Sequence, residues 1–187
     1  MREPDRHYHV FETTAGWSAI AWASNSVVRF VLPNTSEAGA ERQLLGRLPH
    51  ASRAVPPEEI DGIIAAARKY FAGEQMHFSG VAIDLAGQDR FFIGVYDIVR
   101  RLAWGETTTY GAIAKALGAG PEAARDVGRA MAGNPVPLII PCHRVLAAGS
   151  RIGGFSAPGG SDTKRRMLEM EGVQLAPPKP VQQSLAF

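Results

Sequence analysis

The sequence has a single cysteine, Cys142, among 187 residues. One thiol cannot form a disulfide within the chain, and it excludes a cysteine-rich zinc site. No apolar run approaches the roughly 20 residues of a membrane span, and the segment after Met1 lacks the apolar core of a signal peptide. We therefore expect a soluble cytoplasmic protein that contacts no membrane.

The chain also has little excess of either charge, because its formal net charge is only +2. Basic residues outnumber acidic ones by 11 to 7 in residues 93–187, whereas acidic residues lead by 11 to 9 in residues 1–92. The basic excess of the second half fits contact with phosphate groups, although solvated surface charge explains it equally well.

The first half has the patterns of a mixed sheet and helix unit. Short runs with turn residues between them predict strands over 8–14, 17–23 and 27–32. Helical spacing predicts helices over 37–48 and from residue 56 to Gly73. Alternation over 78–85 indicates a further strand.

The second half is predicted to be mainly helical, over 90–103, 107–117 and 121–132. Two short helices around Gly118-Ala119-Gly120 are typical of a helix-turn-helix, and also of plain structural hairpins. Three prolines exclude a helix over 134–141, and we expect an extended, buried segment leading to Cys142. A last helix is predicted over 164–171, capped by Asp162 or Thr163.

Cys142 is followed at once by His143 and Arg144. A lone cysteine is usually a small buried apolar residue. Here a neighbouring imidazole and a cation would favour the reactive thiolate. Adjacent residues of an extended chain point to opposite sides, so His143 is expected to act on the sulfur through a water rather than by direct contact.

The residues around this cysteine form a longer pattern in a fixed order. It consists of Gly105-Glu106-Thr107-Thr108-Thr109-Tyr110, Ala124-Arg125, Val127-Gly128, Ala130-Met131, Asn134-Pro135-Val136-Pro137 and Ile140-Pro141-Cys142-His143-Arg144-Val145. Over about residues 88–173, this pattern resembles the O6-alkylguanine-DNA alkyltransferase family.

The resemblance implies an α/β (α+β) fold. It places a small ribonuclease-H-like domain over residues 1–87, a helical domain with a winged or helix-turn-helix DNA-binding motif over 88–175, and a mobile tail over 176–187. It implies a suicide enzyme for DNA repair, which transfers a methyl or other alkyl group irreversibly from O6-alkylguanine in duplex DNA to Cys142. Whether O4-alkylthymine also reacts stays open. No cofactor and no metal are implied.

The family's catalytic roles match five positions of this chain. The cysteine is linked through water to a histidine that a glutamate holds. A tyrosine protonates the leaving guanine, and an asparagine orders the active-site turn. These roles correspond to Cys142, His143, Glu171, Tyr110 and Asn134.

The resemblance also implies a DNA surface and a substrate pocket. Arg125 would fill the gap left by a flipped base, and small residues would allow close approach to the minor groove. The DNA-binding positions are Arg125, Tyr110, Ala124, Gly128 and Thr107, and the pocket positions are Met131, Pro137, Val145, Phe155 and Ser156. Some relatives have a tyrosine where this chain has Phe155, which cannot donate a hydrogen bond.

Three other functions compete with this interpretation. They are a non-catalytic protein that flips alkylated bases, a transcription regulator and a cysteine hydrolase. Cys142 argues against the first, because the related non-catalytic proteins replace the cysteine. The second leaves the cluster around Cys142 unexplained, and the sequence has no second motif for the third. The expected partner is duplex DNA containing O6-alkylguanine, bound by a monomer. Gln182, Leu185 and Phe187 also resemble the short peptides that bind bacterial sliding clamps, although such short matches arise by chance.

Overall fold

A computed structural model describes residues 5–176 of the chain. The N-terminal part, here residues 5–87, contains four strands and two helices. They are β1 (Arg6–Thr13), β2 (Gly16–Ala23), β3 (Ser26–Asn34), α1 (Glu37–Leu45), β4 (Ser52–Arg53) and α2 (Glu58–Phe71).

The four strands form one sheet in the order β3-β2-β1-β4. β1, β2 and β3 pair antiparallel, and β4 pairs parallel to β1. Because successive side chains of a strand point to opposite faces, β1, β2 and β3 each contribute to two buried clusters, whereas both residues of β4 are exposed. One face packs with α1 through residues such as Val10 and Leu44, and the other packs with α2 and the rest of the chain through Phe11 and Ile64.

The C-terminal part, here residues 88–176, is mainly helical. Its elements are α3 (Arg90–Val99), β5 (Thr108–Thr109), α4 (Tyr110–Ala116), a 3₁₀ helix (Pro121–Ala123), α5 (Ala124–Ala132), a second 3₁₀ helix (Cys142–Arg144), β6 (Val145–Leu146) and α6 (Gly160–Met170). Thr109 caps α4 by accepting a hydrogen bond from the Ala112 amide at 3.2 Å. β5 and β6 pair in parallel, which brings the start of α4 beside the chain that follows Cys142.

The α/β fold class predicted from the sequence is confirmed, and the C-terminal part is helical as expected. The boundary predicted at residues 87/88 stays a prediction, and the larger buried cluster combines side chains from both sides of it. The predicted tail lies outside the described residues apart from Ala176. Within residues 5–176, no helix is long and apolar enough to cross a membrane.

The strand predicted over 78–85 is wrong. Only Ile83 forms a bridge, with Val27 at the start of β3. The Val27 amide donates to Ala82 O at 2.8 Å, and the Asp84 amide donates to Val27 O at 2.9 Å. Further along β3 the Phe30 amide donates to Pro135 O at 3.0 Å, so the edge of the sheet is occupied by two separate segments.

Residues 134–141 are buried and not helical, as predicted, but they form a compact turn rather than an extended segment. The Ile140 amide donates to Val136 O at 2.9 Å. Leu138 lies in the left-handed region with φ 78°, which a leucine rarely adopts. The chain continues into a 3₁₀ turn at Cys142–Arg144, so the extended geometry assumed for Cys142 and His143 is also wrong.

The predicted cap of the last helix is wrong as well. α6 begins at Gly160, after Gly159 in the left-handed conformation with φ 79°. Thr163 lies in the first turn and donates to Pro158 O at 2.5 Å. Because that hydroxyl is bonded to the preceding loop, the glycine pair rather than a polar side chain sets the start of α6.

Candidate active site

Cys142 lies at the inner wall of a cavity of about 560 Å³. The Cys142 side chain is almost completely buried, with 5% of the residue exposed. The remaining walls come from α4, α5, the residue that follows β6 and the loop 153–156, which we call the pocket loop. They are formed by Tyr110, Gly128, Met131, Ala132, Ala147, Gly153, Gly154, Phe155 and Ser156. Five predicted site residues thus line the cavity together with the predicted nucleophile: Tyr110, Gly128, Met131, Phe155 and Ser156.

The pocket loop is held at two points. Ser156 Oγ donates to Ala132 O at the end of α5 at 3.1 Å. A β-carbon added at Gly153 would lie 2.8 Å from Tyr110 Oη, so only glycine lets the loop approach the tyrosine this closely. The cavity is therefore closed on one side by backbone that touches Tyr110.

Asn134 holds the turn that carries the cysteine. Its Nδ2 donates to Ile140 O at 2.8 Å, and its Oδ1 accepts from the Val136 amide at 3.0 Å. Asn134 and Pro137 also line a smaller cavity of about 190 Å³ that meets the first one at Cys142. Val145, predicted as a pocket residue, lies instead in the core with no exposed surface.

A buried polar cluster lies behind Cys142 and is centred on Glu171. His143 Nε2 is 2.7 Å from Glu171 Oε1. Arg144 donates from Nε to Oε2 at 2.8 Å and from Nη2 to Oε1 at 3.0 Å. The Gly105 amide donates to Oε2 at 3.1 Å, and Tyr70 Oη donates to Oε1 at 2.7 Å.

These donors decide the protonation states of the cluster. Burial alone would raise the pKa of Glu171, but the hydrogen bonds from His143 and Arg144 outweigh it and lower the pKa to about 2. Because an ionised carboxylate only accepts, Nε2 of His143 carries the proton. Nδ1 is then the basic nitrogen, and it is buried with no hydrogen-bond partner among the described residues.

Cys142 is a thiol rather than a thiolate in this environment. Burial raises its pKa above the ordinary value, although the hydrogen bond from Asn134 and the charge of Lys164 act in the opposite direction. Burial likewise lowers the pKa of His143, against the attraction of Glu171. Both shifts favour the neutral forms, a thiol at Cys142 and an uncharged imidazole at His143, so the thiol needs a base before it can react as a thiolate.

Lys164 of α6 is a buried cation that sequence reasoning missed. It has no exposed surface, and its ammonium donates to Val145 O at 2.6 Å and to Gly154 O at 3.5 Å. Nζ also lies 5.8 Å from the ring centres of Tyr110 and Phe155. Burial lowers the pKa of Lys164 to about 8, partly offset by Cys142. Its charge therefore lies beside the pocket and the thiol.

The predicted DNA-binding residues lie around α5. Arg125 is exposed in the first turn of that helix, while Ala124 and Gly128 are partly exposed. Arg129 pairs with Asp126 across one turn of α5 and is less free to contact phosphate. Thr107 is partly buried ahead of β5 rather than inside a helix as predicted.

Comparisons with known proteins place this geometry in a family. A family profile described as "6-O-methylguanine DNA methyltransferase, DNA binding domain" matches residues 90–173. The methylated-DNA–protein-cysteine methyltransferase of Methanothermobacter thermautotrophicus is 31% identical over 156 residues, which cover 83% of this chain and 80% of that protein. The chain belongs to the methylated-DNA–protein-cysteine methyltransferase family.

Other members of the family support the assignment. The methyltransferase of Mycobacterium tuberculosis H37Rv is 42% identical over 115 residues, covering 62% of this chain and 67% of that protein. The crystal structure of the M. tuberculosis O6-methylguanine methyltransferase matches with a TM-score of 0.70 at 32% identity, over 93% of this chain and 96% of that chain. A structure of the M. tuberculosis protein in complex with DNA also matches, with a TM-score of 0.70 at 34% identity, over 88% of this chain and 92% of that one.

Proposed function

We propose that this protein repairs DNA by transferring an alkyl group from O6 of guanine to its own Cys142. The observation that carries the proposal is the position of Cys142, which is the wall of an open cavity on one side and adjoins the His143–Glu171 pair on the other. Membership of the methyltransferase family supports it. The acceptor is the protein, so each molecule reacts once.

The chemistry begins with removal of the thiol proton. Nδ1 of His143 accepts it through a bridging water, and Glu171 stabilises the imidazolium that forms. The Cys142 sulfur then attacks the alkyl carbon as the C–O6 bond breaks, and a thioether forms. Tyr110 supplies a proton to the departing guanine, which leaves as the neutral base.

Tyr110 is suited to this role because its hydroxyl stays protonated until it is needed. Burial raises the pKa of Tyr110 above its ordinary value, and the nearby Cys142 adds to the effect. Its hydroxyl adjoins Gly153 in the pocket loop, at the wall of the cavity that would hold the base. Phe155 provides an apolar ring on the same wall and no donor, so Ser156 and the loop backbone are left to bind polar edges of the guanine.

The bound substrate is duplex DNA with the damaged nucleotide turned out of the stack. Arg125 is exposed at the start of α5 and would occupy the space left by the base. Ala124 and Gly128 would allow the backbone of α5 to approach the minor groove closely. Thr107 and Tyr110 complete this surface near the start of α4.

Intact mass spectrometry tests the proposal directly. The full-length protein is incubated with duplex DNA containing O6-methylguanine, and we expect one added methyl group that peptide mapping places on Cys142. Cys142→Ser is the matched control, with no transfer and retained DNA binding in a gel shift. Tight binding with unchanged mass would instead indicate a non-catalytic base-flipping protein.

The remaining partner proposals concern assembly and the end of the chain. A monomer is proposed, since one chain holds the whole cluster around Cys142. The sliding-clamp contact of Gln182, Leu185 and Phe187 stays a prediction, because these residues lie outside the described part of the chain. A cytoplasmic location is likewise a proposal.

A further inference from the structure

Tyr70 connects the N-terminal part of the chain to the buried cluster. It lies near the end of α2 and has no exposed surface. Its hydroxyl donates to Glu171 Oε1 at 2.7 Å and lies 3.3 Å from His143 Nε2. Its ring packs edge-on against Trp104, with 5.4 Å between the ring centres. The hydroxyl is therefore held beside Nε2 of His143, whereas Nδ1 of the same ring has no hydrogen-bond partner among the described residues.

One carboxylate oxygen serves three donors at this point. Tyr70 Oη and His143 Nε2 each lie 2.7 Å from Glu171 Oε1, and Arg144 Nη2 lies 3.0 Å from it. A carboxylate has about two lone-pair directions per oxygen, so the donors compete for it. The hydrogen bond between Glu171 Oε1 and His143 is therefore weaker when the other two donors bind this oxygen more strongly.

Tyr70 remains a donor throughout the ordinary pH range. Burial raises its pKa far above the usual value, and the negative charge of Glu171 adds to the effect. Three charged groups act on the His143 ring: Glu171 attracts its proton, and Arg144 and Lys164 repel it. Tyr70 is uncharged, so it acts on the ring mainly through Glu171.

We propose that Tyr70 is a positioning residue for alkyl transfer. Its hydroxyl donates a hydrogen bond to Glu171 Oε1 and thereby weakens the hydrogen bond that this oxygen accepts from the Nε2–H of His143. The kinetic consequence rests on the proposed function, but the contact acts on His143 whether or not DNA is repaired. With Tyr70 present, the imidazole stays neutral near pH 7 and Nδ1 is available as a base. Without the hydroxyl, Glu171 would stabilise the imidazolium more strongly and the ring would take its proton from solvent.

The test compares three full-length proteins by two readouts. Nitrogen-15 NMR of labelled histidine gives the pKa of His143, and single-turnover methyl transfer from duplex O6-methylguanine gives the pH dependence of the rate. Tyr70→Phe should raise the pKa of His143 by about half a unit or more, and the acid limb of the rate profile should move with it. Tyr96→Phe is the matched control, because it removes another fully buried hydroxyl, which donates to Ala130 O at 2.9 Å.

A second variant strengthens the hydrogen bond from residue 70 to Glu171 instead of removing it. Replacing Tyr70 by 3-fluorotyrosine keeps the ring shape and strengthens the donor, so the pKa of His143 should fall. Opposite shifts in the two Tyr70 variants, with no shift in Tyr96→Phe, support the proposal. An unchanged pKa in both, with melting temperatures lowered as in Tyr96→Phe, would overturn it and leave Tyr70 a packing residue.

The readouts separate this inference from the proposed function. If the wild-type protein transfers no methyl group, the proposed function fails, while the NMR shift still decides the role of Tyr70. If Tyr70→Phe does not fold, the sign of the fluorotyrosine shift decides it: a lower pKa supports the proposal, and an unchanged or higher pKa overturns it.

Discussion

The two parts of the chain differ in what they bury. Among residues 5–87 the only fully enclosed polar side chain apart from tyrosine is Ser18, whereas residues 88–176 enclose Asn134, His143, Arg144, Lys164 and Glu171. Burying ionisable groups costs free energy unless each is paired. The N-terminal part is thus built for packing, and the C-terminal part places its buried charges around one thiol.

Among the substitutions that test this difference, Glu171→Gln should have the largest effect, because it removes the carboxylate at the centre of the buried cluster. The amide cannot neutralise Arg144, so we expect a loss of about 3–5 kcal/mol in the free energy of unfolding and a large fall in the transfer rate. Glu171 has a folded pKa of about 2 against an ordinary 4.5. Its stabilisation is therefore present above pH 4.5 and is lost as the pH falls toward 2, and the glutamine variant should lack this acid-side loss.

Urea denaturation at several pH values, with single-turnover kinetics, measures these effects. The control is Glu169→Gln, which removes the same charge from an exposed position two residues earlier on α6. Equal stability of the two variants would mean that the cluster around Glu171 contributes nothing to folding.

Lys164→Met should have a smaller effect, which falls on the reactivity of Cys142 and on stability at alkaline pH. The charge of Lys164 lowers the pKa of Cys142, so removing the cation should raise that pKa further and reduce the thiolate fraction at neutral pH. Lys164 itself has a folded pKa of about 8 against an ordinary 10.5. The unfolded chain binds more protons between these values, so wild-type stability should rise over that interval relative to the variant.

The rate at which iodoacetamide alkylates Cys142 across the pH range reports the change in the pKa of this thiol. Denaturation between pH 7 and 11 reports the change in stability. Arg166→Met, at an exposed position of the same helix, controls for net charge. Identical iodoacetamide profiles for both variants would show that the Lys164 charge does not reach the sulfur.

Ser18→Ala should have the smallest effect, and it tests the one buried serine of the N-terminal part. The Ser18 hydroxyl is buried in β2 without a hydrogen-bond partner among the described residues. Its removal ends a desolvation cost and breaks no bond, so unfolding free energy should change by less than about 1 kcal/mol, neutral or upward. A clear loss of stability in thermal melts would reveal a role for this hydroxyl.

Local patterns predicted the parts of the molecule that depend on local chemistry. Periodicity predicted the first three strands and the main helices, because neighbours in sequence determine them. Met131, Phe155 and Ser156 are predicted from the family resemblance rather than from periodicity, and the structure places all three around the cavity at Cys142. The prediction of a strand over 78–85 failed because this segment pairs with the edge of the sheet only through one bridge, at Ile83.

Long-range contacts could not be predicted in this way. Tyr70 and Glu171 are 101 positions apart, and Tyr70 has the spacing of an ordinary core residue in α2. Lys164 resembled a solvated charge at the start of a helix, because only the folded chain covers it with the pocket loop and β6. The turn over 134–141 depends on the side chain of Asn134, which no periodicity shows.

The covered edge of the sheet has a consequence for how copies of this protein behave in solution. An exposed edge strand presents unpaired amides and carbonyls that recruit strands from other molecules. Here residues 82–84 and Pro135 occupy amide and carbonyl groups of β3, while β4 at the other edge is only two residues long. Beyond β4, Arg68 donates to the carbonyl of Glu12 in β1 at 3.1 Å. The same turn that positions Cys142 therefore also helps to protect the protein against strand-to-strand aggregation.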